Sequence, residues 1–258
     1  MKVKQILDWL NEIAPFETAE GFDNVGLLMG DANADVHEVI FGMDVTEKLA
    51  QEAIDRGAEL IISHHPFIFH ALKRIDYTGP QGRTLCRLAQ HGISVIAAHT
   101  NWDQAAGGVG DALANALSLQ DVTQPDPYIR MGTLPSPMSA AELSDHVRKA
   151  LRVQPRCYPA SEEPITRVAV AGGAYGEGYL TALNAGAQAY VVGEIAHHEI
   201  LDASMRGLTV YDAGHFPTEL PGVVNLYMRF LADAAQSQWD VQAHLHAFAP
   251  YAGALLAF

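Results

Sequence analysis

The chain has 258 residues, 49% of them hydrophobic, and a formal charge of −14. A chain of this length and apolar content buries a large core, as one big domain or two interlocked lobes, and is not disordered. Its acidity disfavours binding to a nucleic-acid backbone but leaves room for a small phosphorylated substrate, because a bound metal dominates its local field.

The N-terminal residues Ile6, Leu7, Leu10 and Ile13 recur at helical spacing, while Asp8, Asn11 and Glu12 interrupt any signal-peptide core. Residues 21–27, Gly-Phe-Asp-Asn-Val-Gly-Leu, read as a polar turn. A strand at 39–42, a helix from Thr46 to Arg56, a Gly57-Ala58 turn and a strand at 60–62 come next. That last strand runs into Ser63-His64-His65-Pro66, and the apolar run from Val95 to Ala98 runs into His99-Thr100-Asn101-Trp102-Asp103. A helix is expected near Val109.

Prolines 125, 127, 135 and 137 mark the expected break between lobes, since proline removes a backbone donor and favours extended chain. Residues 139–151 read as a helix with a capping box of Ser139 and Glu142. Then a β-α-β-α-β order returns: 168–171, a helix after Gly178, Gly186-Ala187, 189–192, and 207–211 after a further helix. Val39 aligns with Val168, Gly57 with Gly186 and Leu60 with Ala189 at one constant offset of 129 residues, a weak internal repeat. A helix at 220–235 and an alternating, half-exposed strand at 241–248 close the chain.

The fold class expected is therefore α/β: two similar interlocked lobes with mostly parallel sheets and a metal site in the cleft at the C-terminal ends of the strands. The first lobe spans 1–123, with 222–258 packing back on it, and the second spans 124–221. No stretch approaches the roughly 20 apolar residues of a membrane span. Cys86 and Cys157 form no C-x-x-C pair and read as free thiols, so a reducing cytoplasm is expected.

Three strand ends carry residues that bind divalent metals. Neighbouring side chains on a strand point apart, so His64 and His65 either serve two adjacent ions or form a hydrogen-bonded pair. Asp103 is a bridging carboxylate or a helix-capping residue, and His99 orients a ligand. His215 and Glu219 share one face of a helical turn as ligands, or Glu219 caps the helix beside an incidental His. Glu194, His197 and His198 divide between proton donors lining a pocket and a plain surface helix that sets Glu194 one turn from His198. Gly172-Gly173 and its neighbours are Gly-rich enough to approach a phosphate, without a nucleotide fingerprint.

Taken together, His64-His65-Pro66-Phe67-Ile68-Phe69, His99 to Asp103, Gly193-Glu194 with His197-His198, and Gly214-His215 through Glu219 resemble the Nif-three-like family. Asp23 to Leu27 and Asp44-Val45-Thr46 match it as well; Trp102 departs from it, and the chain resembles the short form without a central insertion. Members often carry the label GTP cyclohydrolase 1 type 2 homologue. The resemblance implies two divalent metal ions per subunit, ligated by His64, His65, Asp103, His215 and Glu219, and a ring-shaped homohexamer with the metal sites facing an internal cavity.

The expected function is a metal-dependent hydrolase of a small molecule, of the GTP cyclohydrolase type that opens a purine nucleotide ring. Glu194, His197, His198 and His99 are the candidates for moving protons. The alternative is a non-catalytic metal-binding, metal-delivery or scaffold protein. Mixed His and carboxylate donors suit Fe, Mn, Zn or Ni about equally.

Overall fold

A computed structural model describes residues 1–246. The elements in chain order begin with α1 (Val3–Ile13), β1 (Gly26–Met29), β2 (Glu38–Gly42), α2 (Glu47–Arg56), β3 (Leu60–Ser63), α3 (Pro80–Gln90) and β4 (Ser94–Ala97). Next come α4 (Thr100–Gln104), α5 (Val109–Ala116), β5 (Gln120–Thr123), β6 (Arg130–Met138), α6 (Ala140–Leu151), β7 (Arg156–Tyr158) and β8 (Ile165–Ala171). The chain continues through α7 (Tyr179–Asn184), β9 (Ala189–Val192), α8 (His197–Met205), β10 (Thr209–Asp212), α9 (His215–Gln236) and β11 (Gln242–Leu245). None of the described helices is long and apolar enough to cross a membrane.

The elements group into two compact units, one containing Met1–Ala105 and the chain from Leu226 onward, the other Ala106–Asn225. The first holds a sheet ordered β1-β4-β3-β2-β11, the second a sheet ordered β5-β6-β8-β9-β10-β7.

In the first sheet β11, β2, β3 and β4 are parallel, and only β1 runs against its neighbour. Both faces are covered, so β3 and β4 are buried throughout, as a continuous apolar run demands. Ile40, Ile61 and Val95 pack on Leu49, Ala50, Ala53 and Leu88, residues of α2 and α3. On the opposite face Phe41 meets Phe230, with ring centroids 5.3 Å apart, and Phe230 meets Trp9 of α1 at 5.2 Å.

In the second sheet only β8, β9 and β10 are parallel; β5, β6 and β7 join antiparallel. The expectation of mostly parallel sheets thus holds for the first unit and is corrected in the second. A parallel pairing needs a helical crossover, whereas β5 and β6 are joined by a short connection that lets the chain reverse. Pro135 and Pro137 lie within β6, where pairing with β8 is irregular between Thr133 and Met138; there the missing N–H groups break no ladder.

The repeat is structural. β2, β3 and β4 with their helices α2 and α3 correspond to β8, β9 and β10 with α7 and α8, each a run of neighbouring strands in parallel register. Gly57 and Gly186, one repeat apart, both turn the chain from helix into strand at positive φ, 70° and 86°. Local signals hold as well: Thr46 caps α2 by accepting from the Leu49 amide at 3.1 Å, and Ser139 with Glu142 forms the capping box of α6.

Candidate metal centre

In the first unit, two neighbouring strand ends converge. The ladder continues past β3, where the His64 and His65 amides donate to Gly42 and Met43 carbonyls at 3.0 and 2.9 Å. Those bonds hold both imidazoles at the sheet edge, and because the chain bends there instead of continuing as strand, the two rings sit with centroids 5.0 Å apart. After β4 the chain turns at once into α4, which carries Asp103 back toward the same edge; the sequence signals did not reveal this five-residue helix.

Each imidazole is pinned through Nδ1. His64 donates to the Ala98 carbonyl at 2.8 Å and His65 to the Asp44 carboxylate at 2.7 Å. His99 donates to Asp23 at 2.9 Å. Such partners fix the tautomer and leave Nε2 as the ligating nitrogen. His64 is 2% exposed, and its Nε2 faces Asp103 Oδ1 at 3.5 Å. The three rings lie 5.0 to 5.6 Å apart, and one ligand atom of each falls within 4.8 Å of the others, a group that could hold a metal ion.

Asp23 anchors this half. Its side chain has no exposed surface and also accepts from the amides of Thr100 and Asn24 at 3.1 and 2.8 Å. Burial raises its pKa, but hydrogen bonds from His99 and Thr100 outweigh that and hold it at about 2.

The second unit repeats the arrangement. β10 ends at Asp212, Gly214 turns the chain, and α9 starts on His215. His215 Nδ1 donates to Glu194 Oε1 at 3.0 Å, while Nε2 faces Glu219 Oε1 at 3.1 Å. Glu219 is nearly buried, at 3% exposed. Gly173 closes over this pair at φ 59°: a Cβ there would run into Glu219 Oε1 and come within 3.3 Å of His215 Nε2. The glycine pair after β8 therefore makes room for ligand atoms of this chain, where the sequence suggested a phosphate.

The donor set fits a cation in both units. A nitrogen lone pair and a carboxylate oxygen, both acceptors, face each other across 3.1 to 3.5 Å, and each imidazole has its tautomer set by a second partner. Asp103, His215 and Glu219 also belong to groups of side chains that could hold a metal ion.

The one-turn expectation for Glu194 changes. Glu194 precedes α8 and does not share a helical turn with His198; it bonds His215 instead. His197 and His198 open α8, exposed and without a hydrogen-bond partner among the described residues, while Glu199 caps the helix through the Ala196 amide. Asp23 and Asp44 emerge as imidazole anchors; in the sequence each stood only in a matching segment beside a turn or helix start, with nothing local to reveal its distant partner.

Paired imidazole and carboxylate donors that could hold a metal ion lie at the strand ends of two repeated units, in a mixed α/β class of protein. The family model for Duf34/NIF3 (NGG1p interacting factor 3) matches residues 1–250, and the chain belongs to that family. A Clostridium perfringens relative named GTP cyclohydrolase 1 type 2 homolog is 31% identical over 235 residues, covering 88% of this chain and 90% of its own. Among solved structures, a Bacillus cereus protein related to NIF3 superposes with a TM-score of 0.92 at 22% identity, over 96% of this chain and 97% of that one. Reduced HcgD from Methanocaldococcus jannaschii does so at 0.81 with 26% identity, over 96% and 98%.

Proposed function

We propose that this protein is a metal-dependent hydrolase of a small molecule, with two divalent ions held by His64, His65, Asp103, His215 and Glu219 in a cleft at the strand ends. The observation that carries it is the same in both units: an imidazole fixed through Nδ1 turns Nε2 toward a largely buried carboxylate. Five protein ligands shared by two ions leave coordination positions for water and substrate, which favours catalysis over storage. When bound, two divalent ions lower the pKa of a water and clamp the group under attack.

The chain's own residues do the rest. Asp103 and Glu219 would supply the carboxylate ligands, and Asp44 and Glu194 keep His65 and His215 in the tautomer that would ligate through Nε2. His99, held by Asp23 through Nδ1, presents Nε2 beside the imidazole cluster as a proton acceptor; Glu194, His197 and His198 are the further proton carriers. The relatives' name supports a reaction of the GTP cyclohydrolase type, opening the ring of a purine nucleotide. The subunits are proposed to form a ring-shaped homohexamer.

Elemental analysis tests this on protein purified without added metal or chelator. About two equivalents of metal per subunit are expected in the wild type, largely lost in Asp103→Ala. A well-folded wild type that takes up no metal, even after reconstitution, overturns the proposal.

A further inference from the structure

The loop after the two histidines carries an exposed aromatic and basic surface that metal ligation leaves unused. Phe69 is 36% exposed and Phe22, from the turn before β1, is 66% exposed. Exposure of that order is costly for two phenyl rings set side by side, and a turn with no other task does not need them. Their centroids lie 6.4 Å apart, and Phe69 in turn lies 6.2 Å from His99, which touches both His64 and His65. The rings thus extend the imidazole cluster outward as one continuous wall.

The wall is held in place. Asn24 Nδ2 donates to the Ile68 carbonyl at 2.5 Å, tying the Phe22 turn to the Phe69 segment. The next residue back, Asp23, is bound to His99 and Thr100. Gln81 Nε2 donates to the Phe67 carbonyl at 2.8 Å and fixes the loop from its far side.

Beside Phe69 the loop encloses an open depression of about 520 Å³, lined also by Leu72, Lys73 and Arg74. This is within the range of small-ligand sites. Neither Lys73 nor Arg74 has a carboxylate partner among the described residues, and both are exposed. In a chain of net charge −14, two adjacent unpaired cations make a local field of the opposite sign.

We propose that Phe69 and Phe22 form a stacking platform for a planar heteroaromatic ring whose anionic tail is held by Lys73 and Arg74, the chemistry of a nucleotide. The platform's role in turnover rests on the hydrolase reading above; its binding chemistry does not. A flat ring gains from an aromatic face whatever its edge pattern, so Phe69 and Phe22 select shape, and Lys73 with Arg74 select charge.

The experiment is titration calorimetry of GTP and of tripolyphosphate on the full chain, metal-loaded and chelated, with metal content and sedimentation recorded alongside. Phe69→Ala is expected to weaken GTP about tenfold and leave tripolyphosphate unchanged, and Phe69→Trp is expected to restore GTP. Lys73→Glu with Arg74→Glu is expected to weaken both ligands about tenfold. Metal content and oligomeric state stay at the wild-type value in all of them. The platform is overturned if wild type binds no GTP, if Phe69→Ala binds it within about twofold of wild type, or if tripolyphosphate binds as tightly as GTP. It is equally overturned if Phe69→Ala changes the oligomeric state, which would make this surface a contact between copies. Metal without Phe69-dependent binding leaves the hydrolase reading standing; Phe69-dependent binding without metal removes that reading and leaves the platform.

Discussion

A carboxylate with no exposed surface persists in the first unit because donors surround it: His99 Nδ1, both Thr100 groups, and the Asn24 amide face Asp23. Burial alone would raise its pKa; the hydrogen bonds bring it to about 2, below the ordinary 3.8. A lowered folded-state pKa contributes stability that is complete above the unfolded value and lost as pH falls toward the folded one. Asp23→Asn is expected to unfold more easily at pH 5, and its deficit against wild type shrinks by about 1 kcal/mol between pH 5 and pH 3. Denaturant titrations at the two pH values check this; a deficit independent of pH would mean the residue acts through shape alone. The residue types that bind metal were legible in the sequence because they come directly after apolar runs, but the anchors were not. Asp23 lies 76 positions from His99 and Asp44 lies 21 from His65, and no local pattern encodes such pairings.

At the scale of elements, one helix-to-strand turn recurs through both units, and glycines at positive φ differ in what they face. Gly57, at φ 70°, has open space where a Cβ would go, while Gly173, at φ 59°, has the Glu219 carboxylate and the His215 ring. Gly57→Ala is therefore expected to cost only the left-handed backbone penalty of about 1 kcal/mol, with metal content intact. Gly173→Ala is expected to cost more and to lower metal content as Asp103→Ala does; thermal melts and elemental analysis of the two variants separate the cases. If both variants keep full metal, Gly173 does not govern the His215 and Glu219 pair. Periodicity disclosed the elements that bury two faces or carry strong caps, such as β3, β9, α2 and α6. It did not disclose β1, β5 or β7, which are short antiparallel additions at or near sheet edges whose pairing comes from partners elsewhere in the chain. The strand β6 was hidden by its two prolines, which read as a linker until their place in an irregular stretch of ladder is known.

At the scale of the molecule, the ring proposal makes a plain demand: sedimentation should give six times the mass of one chain, and a single-chain mass would remove it. The first unit is built from two separated stretches of chain, with the whole second unit between them. The parallel partner of β2 is β11, and its first residue, Gln242, pairs with Glu38. On the ribosome, β2 emerges early and its partner late. At about 5–20 residues per second, synthesis of the chain between the two strands takes on the order of ten seconds, during which β2 presents an open edge. The finished fold protects that edge; the growing chain is the form in which another strand could take it first.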